Sequence, residues 1–255
     1  MSLFEELIED RELDNKIIKS FKSKNTLSNQ IFDGDKMHDD VRKKLLEISD
    51  NFIESLGVEF FIHDIVLTGS LANYNWSNFS DVDLHIVIDF DEIADGEDNS
   101  ESLKTIFKEF FDAKERVFNE KYNLKIKGYD VEIYVQDINQ EHVSSGVYSA
   151  LHNEWVIKPE RSTPNIDDEK ILQKGEEYAK KIDDLISKFE SNKDVTNETS
   201  NLYKKIKTFR QSGLESGGEY SYENLTFKLL RRNGYIGKIL KLRTSLTDKK
   251  LSVAQ

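Results

Sequence analysis

Two aspartates separated by one residue, Asp81 and Asp83, come directly before a nearly continuous apolar run at residues 84–88 (LHIVI). Alternate residues of a strand point to the same face, so their carboxylates would lie about 6 to 7 Å apart beside an apolar interior. The chain has 48 acidic residues, so pairs with this spacing also arise by chance on the surface. The surrounding residues must therefore decide whether this pair is functional. Because two like charges beside a core are costly without a cation, the pair indicates a metal site.

The ligands of such a site must be oxygen atoms. The chain has no cysteine, and its five histidines are scattered, which does not suggest a zinc site. Mg²⁺ takes a few carboxylates and completes its coordination with water and substrate phosphates, and paired Mg²⁺ ions lie about 3.5 to 4 Å apart. We therefore expect Asp81 and Asp83 to bind two Mg²⁺ ions, for which Mn²⁺ could substitute.

A glycine and a serine, Gly69 and Ser70, follow residues 64–68 (DIVLT), which predict a short buried strand. Glycine lets the backbone come close to a phosphate, and the serine hydroxyl and the following amides can donate to phosphate oxygens. We expect residues 71–74 to form a short helix whose positive N-terminus favours an anion. Gly69 and Ser70 are thus the predicted phosphate loop, next to the predicted metal site.

The spacing of apolar residues predicts the surrounding elements. Steps of three and four predict helices over residues 37–56, ending at Gly57, and over residues 101–120. The second helix would bury Leu103, Ile106, Phe107, Phe110, Phe111 and Val117. Four strands are predicted, at residues 64–68, 81–90, 124–127 and 131–136. The first two should be neighbours in one sheet, and the acidic residues 91–100 should form a surface loop.

The pattern changes near Pro159 and Pro164, the only prolines, from mixed strands and helices to helices alone. We therefore expect a domain boundary near this point. The expected parts are an N-terminal helical extension (1–36), an α/β domain that carries the acids (37–158) and a helical C-terminal domain (159–255).

A basic segment, residues 225–250, has eight basic residues against one acidic residue, in a chain of net charge −12. We expect it to form a single helix on which Lys228, Arg231 and Arg232, spaced by three and four, share one face. Such a face could bind the phosphates of a triphosphate or of a polynucleotide, or could simply be solvated. Both interpretations stay open on the sequence alone.

The N-terminal residues, MSLFEELIEDRELDNK, are acidic where a signal peptide would be basic and then apolar. No segment approaches the length of a membrane span. We therefore expect a cytoplasmic protein without a membrane partner. Its 15 Phe and 10 Tyr indicate a folded chain despite 33% charged residues.

Gly69 and Ser70, ten intervening residues, and Asp81-Val82-Asp83 between apolar strands resemble the signature of the polymerase-beta-like nucleotidyltransferases, over residues 40–136. The strings LTGSLANYNWSNFSDVDLHIVIDF, VEIYVQD and FKLLRRNGYIGKILKL are also similar to predicted nucleotidyltransferases of tailed bacteriophages, which would place the protein in the host cytoplasm. The resemblance implies an α+β fold, with a small mixed, palm-like sheet domain followed by a helical domain.

The same resemblance implies a reaction. It would transfer NMP from an NTP such as ATP to an acceptor hydroxyl and release pyrophosphate, with Gly69 and Ser70 holding the β- and γ-phosphates. The family places a third carboxylate on a neighbouring strand, and Asp130 and Glu132 are the candidates. We prefer Glu132, which lies inside the predicted strand, although the family more often has Asp there. It would help to hold the acceptor-side metal or take the hydroxyl proton.

The acceptor stays open. An RNA or tRNA 3′ end, which we favour, would use the basic segment, whereas a small molecule such as an aminoglycoside would suit an acidic cleft. A protein hydroxyl would make the protein an AMP-transferring toxin or effector. A nucleotide-binding module without catalysis is the remaining hypothesis, and the intact Gly-Ser and Asp-x-Asp elements weigh against it.

Three other side chains have both a functional and a structural interpretation. Tyr148 and Trp155 follow the predicted sheet and could flank a nucleobase, although packing between domains is the favoured interpretation. His85 shares the face of the two aspartates, and we expect it to be a hydrogen-bonded core histidine.

Overall fold

The computed structural model describes residues 13–94, 100–140 and 144–253, which form two compact units. The sheet unit comprises the described part of residues 23–163. The helical unit combines the described residues up to 22, which include helix α1 (Asn15–Lys19), with those from 164 onward. This arrangement of a mixed sheet and a helical C-terminal region confirms the predicted α+β fold class.

The sheet unit opens with a hairpin of β1 (Phe32–Asp33) and β2 (Lys36–Met37), which precedes a six-stranded sheet. The strands of this sheet are β3 (Asp64–Thr68), β4 (Val82–Ile88), β5 (Lys125–Ile126), β6 (Tyr129–Asp137), β7 (Val147–Ser149) and β8 (Glu154–Ile157). Their order is β5-β6-β4-β3-β7-β8, in which β4 and β6 are parallel and the other pairs are antiparallel. The four predicted strands and the pairing of the first two are confirmed.

Side chains alternate along β4, the strand that carries the acid motif. Leu84, Ile86 and Ile88 are fully buried in the core of the sheet unit. Asp83 and His85 lie on the opposite face and are half-buried. The apolar face therefore fixes the strand, and the polar face remains accessible for chemistry.

Helices α2 (Asp39–Leu56) and α3 (Phe90–Ala94) flank β3 and β4 in sequence. The apolar residues of α2 that recur at steps of three and four are buried, as their spacing predicts: Val41, Leu45, Ile48, Phe52 and Leu56. Gly57 ends the helix with a left-handed φ of 70°. The prediction of a loop over residues 91–100 was wrong at its start, because α3 occupies it. Phe90 and Ala94 are buried there, which stabilises the turn. The remainder, residues 95–99, lies outside the described residues.

Helix α4 (Ser100–Lys121) covers the predicted segment but faces the core differently. Phe111 and Phe118, seven residues apart, are buried at 2% and 7% exposure. Ile106 and Val117 are 58% and 61% exposed, so their predicted burial was wrong. A helix buries one stripe, and the stripe through Phe111 and Phe118 leaves those two side chains outside it.

The helical unit contains α5 (Asp168–Glu190), α6 (Thr196–Gly217), α7 (Tyr222–Arg232) and α8 (Tyr235–Leu251), with a short 3₁₀ turn at Gly218–Tyr220. The prediction of one helix through the basic segment was wrong, because α7 and α8 are separated at Gly234, whose φ is 80°. Such a left-handed residue interrupts a helix. Within the described residues, no helix has both the length and the apolar character that a membrane crossing requires.

Candidate active site

Asp81 and Asp83 lie at the amino end of β4, Asp81 directly before the strand and Asp83 within it, and both are half-buried. Asp83 pairs in register with Glu132 of the parallel strand β6 and with Thr68 of β3. Neighbouring strands lie about 4.8 Å apart, and paired residues point to the same face. The structure therefore brings Glu132 beside Asp83, with Asp81 two residues away on the same face.

Gly69 directly follows β3 and lies against the acid motif. Its φ is 70°, and a Cβ atom at this position would come 1.8 Å from Oδ2 of Asp83. Both the backbone angle and the contact exclude a side chain here without a shift of Asp83. The predicted phosphate loop and the acid motif are thus in direct contact.

The predicted helix at residues 71–74 is absent from the structure, which has turns there. The loop therefore has no positive helix end that would favour an anion, and side chains organise it instead. Ser70 Oγ donates to Ser80 Oγ at 2.7 Å, and the Ser77 amide donates to the same oxygen at 2.9 Å. Because Ser80 immediately precedes Asp81, these bonds tie the loop to the start of the acid motif.

A second loop, residues 144–146, supports the first and was missed in the sequence analysis. The Gly69 amide donates to Ser144 Oγ at 3.3 Å, and Asn73 Nδ2 donates to Ser145 Oγ at 2.6 Å. A Cβ on Gly146 would lie 2.0 Å from the carbonyl oxygen of Ala72. The only signal in the sequence is a Ser-Ser-Gly turn, which does not specify the loop that it contacts.

Asp130 and Glu132 have different surroundings. The Asp130 side chain is 63% exposed and forms an ion pair with Lys125. Glu132 is half-buried, aligned with Asp83, and accepts a hydrogen bond from the Tyr134 hydroxyl. The geometry therefore places Glu132, rather than Asp130, next to the two aspartates.

The pKa of the Tyr134 hydroxyl reflects both burial and the carboxylates on this face. Burial raises the pKa of its hydroxyl strongly, and the hydrogen bond to Glu132 and the charges of Glu132, Asp83 and Asp81 raise it further. His85, whose ring centroid lies 5.0 Å from that of Tyr134, shares a 2.9 Å hydrogen bond between its Nδ1 and Gln136 Oε1. His85 is hydrogen-bonded as expected, but it is half-buried on the polar face rather than in the core.

A different group of metal-capable side chains lies at the other end of β3 and β4. His63, Asp89 and Glu92 each offer one ligand atom, and these atoms lie within 4.8 Å of one another. Of the described side chains, only this group brings three such atoms so close, and the three predicted carboxylates are spread more widely. Sequence analysis missed the group because pairing of β3 with β4 and the turn into α3 bring its members together.

Lys228, Arg231 and Arg232 all lie on α7 but do not share one exposed face. Arg231 is exposed, whereas Lys228 and Arg232 are half-buried. The Arg232 guanidinium donates to Ser20 Oγ at 2.8 Å and lies 5.2 Å from the ring centroid of Phe21. Arg232 therefore also has a structural role in the helical unit.

Arg210 of α6 completes what we term the basic cluster, Arg210, Lys228, Arg231 and Arg232. Burial lowers the pKa of Lys228 to about 8. The negative charge of Glu219 raises this pKa, whereas the positive charges of the three arginines lower it further. Arg210 lies 4.4 Å from the ring centroid of Phe227, and burial and the charge of Arg231 lower its pKa. Sequence analysis missed Arg210 because it belongs to another helix.

Tyr148 and Trp155 pack within the sheet unit. Tyr148 is 1% exposed, and its hydroxyl donates to Asn153 Oδ1 at 2.9 Å. The Trp155 ring stacks on Phe32 at a centroid distance of 5.2 Å. These contacts support packing rather than stacking on a nucleobase, although the packing is internal to the unit and not the expected contact between domains.

A family model, the nucleotidyltransferase domain, matches residues 46–158. The match includes the glycine and serine of the predicted phosphate loop and the three carboxylates, whereas the basic cluster lies outside it. Comparisons with curated proteins and with solved structures give no match. Residues 46–158 are therefore a nucleotidyltransferase domain of the polymerase-beta-like superfamily, and the protein is a nucleotidyltransferase.

Proposed function

We propose that the protein transfers NMP from an NTP to an acceptor hydroxyl at the amino end of β4 and releases pyrophosphate. The observation that carries this proposal is the position of Asp83, in register with Glu132 on one side and against Gly69 on the other. This position puts three carboxylates on one face, with the backbone of Gly69 directly against them. Carboxylates suit cations, and a glycine lets a phosphate come close to the backbone.

The residues present fit divalent cations. Enzymes with this domain typically use divalent metals, and the donors here are half-buried carboxylates, which suit a hard ion such as Mg²⁺ or Mn²⁺. Asp81 and Asp83 would hold two ions, and Glu132 would help to hold the one on the acceptor side. The ions would supply neutralisation of the charge that develops on the phosphoryl oxygens.

The reaction forms one bond and breaks one. The oxygen of the acceptor hydroxyl attacks the α-phosphorus in line, and the bond from that phosphorus to the bridging oxygen of pyrophosphate breaks. The hydroxyl proton passes to Glu132 or to solvent. The Gly69 backbone and the Ser70 hydroxyl would hold the β- and γ-phosphates, with the Ser70 proton turning from Ser80 Oγ to a phosphate oxygen when the NTP binds.

The acceptor that we favour is the 3′ end of an RNA, such as a tRNA. The support is the basic cluster, in a chain of net charge −12. Burial lowers the pKa of Lys228 and of Arg210, and the charges of the arginines beside them lower both pKa values further. An acidic protein that handles a polyanion needs local positive charge to offset long-range repulsion. The similarity to phage nucleotidyltransferases stays a prediction, and the choice among NTPs stays open.

The test is to incubate the full chain with each α-labelled NTP, Mg²⁺ and total cellular RNA. The Asp83→Asn variant is the control for activity that does not come from this site. Label in RNA that disappears with Asp83→Asn supports the proposal. Label in protein or in a small molecule would retain the transfer reaction and replace the acceptor. Absence of any transfer, with a folded protein, would overturn the catalytic proposal in favour of a nucleotide-binding module.

A further inference from the structure

Tyr134 lies two residues beyond Glu132 on β6, so the two side chains share a face. Its hydroxyl donates to Glu132 Oε2. A carboxylate has two oxygens, and a donor on one of them fixes the plane of the group while the other oxygen can still accept a ligand. The hydrogen bond is therefore placed to orient the carboxylate that aligns with Asp83.

The Tyr134 ring is itself held in place. It is half-buried beside His85, and His85 Nδ1 shares a 2.9 Å hydrogen bond with Gln136 Oε1. The Gln136 amide donates in turn to the carbonyl oxygen of Gln140 at 3.1 Å. A chain of contacts along the polar face of β4 and β6 thus fixes the hydroxyl before any substrate binds.

We propose that Tyr134 is a positioning residue that orients the Glu132 carboxylate for the divalent cation of the nucleotidyl-transfer site. This inference rests on the proposed role of Glu132 as a ligand. Hydrogen bonds that orient metal ligands are typically worth about 10- to 100-fold in metal affinity or activity when removed. A purely structural Tyr134 would instead contribute through its ring, which Tyr134→Phe retains.

The test measures Mn²⁺ binding by calorimetry and by electron paramagnetic resonance, together with kcat and KM. The His63, Asp89 and Glu92 group could also bind Mn²⁺, so all variants are made in a His63→Ala background. We expect Tyr134→Phe to weaken Mn²⁺ binding about 10- to 100-fold. Its kcat should fall at subsaturating Mn²⁺ and recover in part at high Mn²⁺. Tyr129→Phe, on the opposite face of β6, should leave both quantities unchanged.

A double-mutant cycle separates this proposal from the function on which it rests. If Tyr134 acts through Glu132, Tyr134→Phe should have no further effect on Mn²⁺ binding in a Glu132→Ala background. Weakening by Glu132→Ala but not by Tyr134→Phe, or an undiminished Tyr134→Phe effect without Glu132, would overturn the positioning role alone. Wild-type Mn²⁺ binding in both Glu132→Ala and Asp83→Ala would instead overturn the proposed metal site.

Circular dichroism spectra and thermal midpoints establish that each variant is folded. Should Tyr134→Phe be unfolded, 4-fluorophenylalanine at position 134, which keeps the ring and fills the place of the hydroxyl without donating a hydrogen bond, takes its place in the same measurements. The same weakening is expected, and wild-type Mn²⁺ affinity in that folded variant would contradict the proposal.

Discussion

Asp81 and Asp83 lie at the amino end of β4, whereas Asp89 lies just beyond its carboxyl end beside His63 and Glu92. The strand spans seven residues, so the two groups are separated by about 20 Å. Both groups contain carboxylates that could bind a cation. At the carboxyl end the three ligand atoms are already within 4.8 Å of one another.

The difference lies in what else each group contacts. Asp83 lies against Gly69 and in register with Glu132, so the glycine of the predicted phosphate loop adjoins the carboxylates. Asp89 Oδ1 instead accepts the Asp91 amide at 2.7 Å, and the Glu92 side chain is 54% exposed. Close carboxylates alone therefore do not make a nucleotidyl-transfer site, because the reaction also needs a place for the phosphates.

Removing an acid at the amino end should have the largest effect. We expect Asp81→Ala or Asp83→Ala to lower NMP transfer by about 10³-fold or more, because losing several kcal/mol of charge stabilisation reduces the rate by that factor. The fold should persist, since each change also relieves like-charge repulsion. The matched control is His63→Ala, which alters the other group. Transfer assays measure both variants. If His63→Ala were inactive and Asp83→Ala retained a wild-type rate, the group at the carboxyl end of β4 would be the one that transfer requires.

The third carboxylate gives the next largest expected effect. Glu132→Ala should reduce transfer by about 10²-fold or more, whereas Asp130→Ala should change it less than about twofold, because an exposed ion pair contributes little. Initial rates of both variants at saturating NTP decide between them. Equal rates, or the reverse order, would show that the register with Asp83 does not identify the third ligand.

Gly69 tests whether the phosphate loop must contact Asp83. We expect Gly69→Ala to lower transfer by about 10²-fold, because the new Cβ displaces the Asp83 carboxylate. Gly57→Ala is the matched control, since Gly57 has the same φ of 70° but no atom within 4 Å of its Cβ position. Both changes strain the backbone, so comparable rate losses in the two variants would assign the effect to strain rather than to the contact.

The basic cluster should give a smaller, salt-dependent effect. We expect Arg231→Ala to weaken binding of single-stranded RNA severalfold and to reduce the slope of log affinity against log salt by about 0.7, the value for one phosphate contact. NTP binding should respond less. Lys205→Ala, an exposed cation on α6, is the control. Unchanged RNA affinity in Arg231→Ala from low to physiological salt would remove the support for an RNA acceptor.

Glu115 of α4 offers a third acidic environment, buried at 8% exposure, in which its carboxylate accepts a hydrogen bond from the Val135 amide. Burial raises its pKa from 4.5 to about 7, against the opposing hydrogen bond from the Val135 amide. The folded state then binds more protons than the unfolded state between these values, so stability should fall as pH rises from about 4.5 to about 7.

Replacing that carboxylate should flatten the profile. Glu115→Gln should remove about 1 to 3 kcal/mol of this pH dependence and leave transfer activity unchanged. Urea unfolding from pH 5 to pH 8 measures the effect. Parallel profiles for wild type and variant would show that burial of Glu115 does not set its titration.

Much of the candidate site follows from contiguous sequence. The run at Asp64–Thr68, the turn at Gly69 and the acids before residues 84–88 specify two strands and their connection. Short-range periodicity and a glycine at the turn are local signals, which is why β3 and β4 were predicted as neighbours. The family match over residues 46–158 includes this same region.

Tertiary structure decided what lies beside the motif. The parallel register of β6 aligned Glu132, rather than Asp130, with Asp83, and the loop at residues 144–146 supports the predicted phosphate loop in place of the expected helix. Likewise, contacts with Phe21 and Ser20 made Arg232 structural as well as basic. Register between distant strands and packing against a second helix depend on the whole core, so no local pattern encodes them.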